Sequence, residues 1–246
     1  MTEYEYGDGQ KLDAYFPGTT GFTTIVYFHG GSLTGGDKRG GAIPEFAAEF
    51  TRLGYGFVSA NYRLYTAGAK FPDFIDDCAA AVASAKSSAL NSGGSGEIIV
   101  AGQSAGAWLS LMLCLDGKYL TAHGITPSEI KGWIIDSAQT TSHFTVINRE
   151  LGEDERRQLI DGYAPLYYIR DGVRVGKMLT IYYENDMPCR PEQNLLFAAA
   201  VRAFDANADI ETVCLPGGHC HGSSEKDADG RYGFMKVAEK WLKDKF

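Results

Sequence analysis

The sequence predicts a three-layer α/β fold, in which a mostly parallel central sheet is flanked by helices. Three observations carry this expectation. Short β-branched runs alternate with longer amphipathic runs along most of the chain. The runs Ile25-Val-Tyr-Phe28 and Ile98-Ile-Val100 are apolar on both faces, as strands read when helices cover a parallel sheet on each side. Glycine-rich turns follow two of these strands, at the carboxyl ends where open sheets of this class collect their chemistry.

Taken in order, strands are expected at residues 11–16, 24–29, 56–60, 97–101, 132–136, 178–183 and 211–215. Helices are expected at 44–53, 74–90, 104–115, 190–205 and 231–243. Pro44 and Pro191 stand where a first helical turn tolerates a missing N–H. Asn91-Ser-Gly-Gly-Ser-Gly96 reads as a flexible turn between two elements. Residues 140–171 break the alternation with a charged helical stretch at 153–160 and an aromatic run at 163–168. They read as a small insertion over the site of a single domain spanning 1–246.

Composition narrows the function. The chain has 246 residues and a formal net charge of −8, which argues against nucleic-acid and anionic-lipid partners. No apolar run reaches the roughly 18 residues of a membrane span. The first residues are polar and acidic, without the pattern of a signal peptide, so a cytoplasmic location is expected. Five cysteines without a CxxC pair fit reduced thiols, and Cys78 and Cys114 fall on apolar helical stripes as small core residues. Oligomeric state cannot be read from the sequence.

The strongest motif is Gly102-Gln103-Ser104-Ala105-Gly106, directly after one expected strand and directly before a helix. A strained turn of this kind lifts the Ser104 hydroxyl above the sheet. It needs glycines at both ends, because a side chain there would strike the neighbouring strand or helix. A second glycine loop, His29-Gly30-Gly31-Ser32 and then Gly35-Gly36-Asp37-Lys38, follows another strand. Its backbone offers N–H donors for a developing oxyanion, assigned to the amides of Gly31, Ser32 and Ala105. His29 reads as a brace for this loop.

With these motifs, Gly54-Tyr-Gly-Phe-Val-Ser-Ala-Asn-Tyr-Arg-Leu64 and Phe71-Pro72 with Asp76-Asp77, the chain resembles the α/β-hydrolase serine esterases related to hormone-sensitive lipase. The acetyl and feruloyl esterase branch is the nearest in pattern. The resemblance is dense from about Asp8 to Cys114 and sparse beyond. Ser32 departs from it, standing where lipase-like members carry a third glycine. The resemblance implies an α/β-hydrolase fold, a serine nucleophile, no cofactor, and a scaffold role for Asn61, Tyr62, Arg63 and Asp77.

A serine nucleophile needs a base, and the base needs an orienting acid, in the chain order Ser, Asp or Glu, His. The acid is read as Asp186, in the turn after the strand at 178–183, with Asp136 and Glu184 as competitors. The base lies in Gly217-Gly-His-Cys-His-Gly222; His219, nearer the strand end, is preferred and His221 is the alternative. His123 is read as a solvated loop residue, and His143, in the insertion, as a surface residue with a place facing the substrate as the alternative. His-Cys-His also offers metal-ligand types, but no further ligand appears at a recognisable spacing, so no metal is expected. The aromatics Phe144, Tyr163, Tyr167 and Tyr168 suit either a mini-core or stacking on a substrate ring.

The expected activity is hydrolysis of short-acyl esters, with carbohydrate acetyl and feruloyl-type esters as candidate small-molecule substrates. Alternatives are an arylformamidase or peptidase-type amide hydrolase on the same fold, a non-catalytic ligand-binding homologue, and an interaction domain without a pocket.

Overall fold

The apolar runs form the middle of one sheet. The structure, a computed structural model, describes residues 1–7 and 9–246; Asp8, where the resemblance sets in, lies outside them. Among the described residues the strands are β1 (Thr2–Tyr6), β2 (Gln10–Tyr15), β3 (Thr24–Phe28), β4 (Gly56–Ala60), β5 (Ile98–Gln103), β6 (Ile130–Asp136), β7 (Lys177–Asn185) and β8 (Asp209–Gly218). Their order across the sheet is β1-β2-β4-β3-β5-β6-β7-β8. The β1–β2 and β2–β4 pairs are antiparallel, and all later neighbours are parallel. The fold is that of an α/β-hydrolase.

The helices are α1 (Ile43–Arg52), α2 (Asp73–Asn91), α3 (Ala105–Leu115), α4 (Lys118–Ala122), α5 (Phe144–Leu151), α6 (Arg190–Phe204), α7 (His221–Ser224) and α8 (Gly233–Lys245). Strand side chains alternate between the two faces. Val26, Phe28 and Val100 pack with Phe74 and Val82 of α2, Trp108 of α3 and Phe197 of α6. Ile25, Tyr27 and Ile99 pack on the other face with Phe46 and Phe50 of α1 and Met235 and Trp241 of α8. Each fully buried side chain of this size contributes about 1.5–3 kcal/mol, so the two cores hold the strand ends rigidly. Among the described residues no helix is long and apolar enough to cross a membrane.

The structure adds the short helices α4 and α7 to the expected elements and corrects others. β1 was not anticipated, because Thr-Glu-Tyr-Glu-Tyr is polar; it forms the antiparallel edge and is largely exposed. β8 continues through Gly218, three residues past the expected end. In the insertion the helix is α5, and residues 153–160 form none. α5 starts where the His143 ring accepts the Thr145 N–H at 3.2 Å and stops at Gly152, in the left-handed region with φ 65°. The charges beyond pair within their own turns, Arg157 with Glu153 and Arg156 with Asp154.

The insertion lies against α3 and the loop after β3. The Trp108 indole donates to the Tyr163 carbonyl at 3.2 Å, and the Thr145 hydroxyl donates to the Ser32 carbonyl at 2.8 Å. Tyr163 and Tyr168 pack onto the core, Tyr163 edge-on to Phe71, while Tyr167 is half exposed. His143 is not at the surface: it is buried between Trp108 and Phe144. Burial pushes it well below its ordinary pKa, so it caps α5 as a neutral ring. His123 is exposed at the end of α4.

Candidate active site

Ser104 is the hinge between β5 and α3. Its φ of 53° with ψ −113° is rare for a residue with a side chain. The turn is closed by hydrogen bonds from the Ser104 N–H to the Asp136 carbonyl at 2.8 Å and from the Trp108 N–H to the Ser104 carbonyl at 3.0 Å. Glycine is required on both sides. A Cβ at Gly102 would lie 2.3 Å from the Gly106 carbonyl oxygen, and one at Gly106 would lie 2.0 Å from that of Phe28.

The Ser104 hydroxyl donates to Nε2 of His219 at 2.8 Å, and Nδ1 of His219 donates to Asp186 Oδ1 at 2.5 Å. The three residues come from turns after β5, β7 and β8. The same Asp186 oxygen accepts the Met187 N–H at 2.7 Å, and its side chain is fully buried. Burial pushes the Asp186 carboxyl up, but hydrogen bonds from His219 and Ser137 outweigh this and hold it below its ordinary value.

His219 and His221 are separated by a turn in the backbone. Cys220 takes the left-handed conformation with φ 58°, so the chain leaves β8, presents His219 to Ser104 and immediately starts α7. His221 faces Glu225 instead, 3.7 Å away, and is largely exposed. Of the two other carboxylates considered for the acid, Glu184 is exposed. Asp136 is turned inward, accepting from the Tyr183 hydroxyl at 2.9 Å and from the Ser223 hydroxyl at 2.5 Å.

Asp136 carries a prediction of its own. Complete burial pushes its carboxyl up to about 6. Between about pH 4 and pH 6 the folded chain therefore holds a proton that the unfolded chain has released. This group's contribution to stability is full below about pH 4 and is lost as pH rises through about 6. A gap of about two pH units corresponds to about 3 kcal/mol. Asn at this position can accept from Tyr183 and donate to Ser223, whose hydroxyl is then free for the Cys220 carbonyl, 3.1 Å away. Thermal melts should show Asp136→Asn more stable than the wild type near pH 8, with the difference shrinking toward about pH 5. An equal difference at both pH values would contradict a buried titrating carboxyl.

The loop after β3 presents its backbone to Ser104. Gly31, Ser32 and Leu33 have φ of 114°, 58° and 61°, and the turn closes through the Thr34 and Gly35 N–H groups onto the Gly31 carbonyl at 3.0 and 2.9 Å. Among the described residues the Gly31 and Ser32 amides donate no hydrogen bond. Ala105 is the first residue of α3, where an amide has no upstream helical acceptor.

Several contacts brace this loop. The buried His29 ring donates to the Gly30 carbonyl at 2.7 Å and stacks on Tyr62 at 4.4 Å, while the Tyr62 hydroxyl donates to the His29 carbonyl at 2.7 Å. Gly36 is forced to be glycine, since a Cβ there would meet His29 Nδ1 at 2.2 Å. Asn61 accepts the Lys38 N–H at 2.6 Å and donates to Asp37 at 2.9 Å. The buried Lys38 ammonium bridges Asp13 on β2 and Glu3 on β1, both at 2.9 Å. Arg63 makes a forked pair with Asp77.

A cavity of about 580 Å³ opens beside Ser104 and His219 and runs along Gly31 and Ser32 toward Ile43, Phe46 and Tyr232. Among the described residues no insertion side chain lines it, and no cluster of three or more His, Cys, Asp or Glu could hold a metal. One residue of the site was missed in the sequence: Ser137, whose hydroxyl touches both Asp186 and His219. Its position just after β6 is the only signal that pointed to it.

The sequence profile of the family described as BD-FAE matches residues 12–172, more than half of the chain. The chain belongs to the BD-FAE family. It is thereby placed among the hormone-sensitive-lipase-like α/β-hydrolase serine esterases, as the motif resemblance implied. The match contains the BD-FAE chain's Ser104 and the loop after β3, but ends before Asp186 and His219. No curated protein matches the chain. Among solved structures it is similar to esterase 2 of the planctomycete Thermogutta terrifontis. The propionate-bound form is 21% identical with a TM-score of 0.79, over 99% of this chain and 93% of that one. The form phosphorylated by paraoxon is 20% identical with a TM-score of 0.79, over 99% and 92%. The butyrate-bound form is 21% identical with a TM-score of 0.76, over 96% and 89%.

Proposed function

We propose that this BD-FAE member hydrolyses short-acyl carboxylic esters through an acyl-enzyme on Ser104. The observation that carries the reading is the unbroken hydrogen-bonded line from Asp186 through His219 to the Ser104 hydroxyl, beside the Gly31 and Ser32 amides, which have no partner among the described residues.

Ser104 Oγ attacks the ester carbonyl as its proton passes to His219 Nε2. Asp186 keeps the other ring nitrogen protonated and faces the positive charge that develops on the imidazole. The amides of Gly31, Ser32 and Ala105 donate hydrogen bonds to the oxyanion; preorganised donors of this kind are each worth about 10²–10³ in rate. His219 then protonates the leaving alkoxide and the C–O bond breaks, leaving the acyl group on Ser104. Water attacks that ester, gives its proton to His219, and the acid departs as Ser104 recovers its hydrogen.

A cavity of about 580 Å³ beside Ser104 has room for a small ester. The propionate and butyrate bound to the Thermogutta esterase point the same way. Carbohydrate acetyl esters and feruloyl esters are the classes to assay first. The test is turnover of p-nitrophenyl acetate and butyrate, together with labelling by a fluorophosphonate and peptide mapping of the adduct. Turnover with the adduct on Ser104 is the expected result; an unlabelled protein without turnover would sink the reading.

A further inference from the structure

We propose that Ser137 is a positioning residue for the His219–Asp186 pair, a fourth hydroxyl-bearing member of the site. The inference rests on the hydrolase reading above and deepens it.

Ser137 is the residue directly after β6 and is completely buried. Its hydroxyl donates to Asp186 Oδ2, the carboxylate oxygen that His219 does not use. That commits the only hydroxyl hydrogen, since an ionised carboxylate can only accept. The Ser137 oxygen lies 2.8 Å from His219 Nδ1, so its lone pair takes a share of the Nδ1–H. One hydroxyl therefore ties the carboxylate in the orientation that faces the ring and gives the ring a second acceptor.

The backbone holds the hydroxyl in place at a conformational cost. Ser137 has φ 55°, a left-handed conformation that costs a non-glycine residue about 1 kcal/mol or more. Its N–H donates to the Ile181 carbonyl at 2.8 Å, and its own carbonyl accepts from the buried Arg190 guanidinium at 2.7 Å. If the turn were the only requirement, glycine would serve it without strain. A side chain stands here against local preference, and its hydroxyl meets Asp186 and His219, with the Cys220 thiol beside it.

This contrast makes the test. Ser137→Gly removes the hydroxyl and relieves the backbone, and Ser137→Ala removes it while keeping the strain. Losing a hydrogen bond to a charged group should lower kcat for p-nitrophenyl acetate about ten- to a hundredfold in both variants. KM should change less than about twofold, because the hydroxyl does not line the substrate cavity. The acid limb of the kcat/KM profile should move, since the ring N–H loses an acceptor and the Asp186 carboxylate loses a donor that had drawn on its charge. The other titratable or charged groups around this pair remain unchanged: Asp136 on β6, His143 before α5, Arg190 on α6 and Cys220 beside the ring. The Ser137→Gly protein should melt above the Ser137→Ala protein, which loses the same hydroxyl but keeps the strained backbone.

A Ser137→Gly protein with wild-type kcat and an unmoved acid limb would overturn the proposal, showing that the residue only builds the turn. Loss of activity in mere proportion to the unfolded fraction would overturn it too. If the wild type itself neither turns over ester nor labels at Ser104, the hydrolase reading falls and takes this inference with it. An active, labelled wild type beside an equally active Ser137→Gly protein defeats this inference alone.

Discussion

Ser104→Ala should lower kcat for a p-nitrophenyl ester by about five to six orders of magnitude, with the melting temperature unchanged. The variant loses only the attacking oxygen, because alanine keeps the backbone and the Cβ already present. The His219 ring then faces the cavity, where water can take the place of the lost hydroxyl. A residual rate of about 10³–10⁴ over water should persist, from the amides of Gly31, Ser32 and Ala105. His219→Ala should cost about as much, and the double variant little more, since nucleophile and base act as one unit. His221→Ala should stay within about threefold of the wild type, because its exposed ring faces Glu225. Steady-state kinetics on the four proteins settles the matter. More than about 1% of wild-type kcat in Ser104→Ala would contradict the assignment.

Gly106→Ala should be the most damaging single methyl in the protein. The added carbon would lie 2.0 Å from the carbonyl oxygen of Phe28 and 2.6 Å from that of His29. Both obstacles are backbone at the end of β3, so no side-chain rotation relieves them. Overpacking against a fixed strand costs about 3 kcal/mol or more, a fall of about 6–12 °C in melting temperature for a chain of this size. Moving the end of β3 also moves Gly31 and Ser32, so any folded fraction should lose kcat as well. Gly41→Ala is the control: that residue is left-handed with φ 54°, but a Cβ there meets nothing within 4 Å. It should cost only about 1 kcal/mol. A Gly106→Ala protein that melts with the wild type would mean that β3 and α3 can separate freely.

The residues show what a sequence can and cannot reveal of such a site. Ile25–Phe28 and Ile98–Val100 were legible as central strands because burial on both faces leaves an uninterrupted apolar run. The paired glycines around Ser104 were legible because backbone crowding admits no other residue. β1 was not, since an exposed edge strand has no apolar face to betray it. His143 looked like a surface residue because its burial comes from Trp108, 35 positions away in a sequence that does not mark their contact. Separating His219 from His221 depends on the sign of φ at Cys220, a choice non-glycine residues rarely make and sequence seldom announces. Ser137 meets partners 49 and 82 positions downstream, and one serine among many carries no pattern.

The ammonium of Lys38, clamped between Asp13 and Glu3, has a practical consequence for anyone wishing to redirect this protein toward new substrates. Gly36, Asp37 and Gly40 line the binding space beside it, and changes there would unbalance a charge or strike a crowded glycine. Met187 and Ser224 also line its rim, both open to solvent and neither in a strand of the sheet. Libraries for laboratory evolution belong on that rim, where variety can be sampled without spending the stability that keeps the machinery assembled.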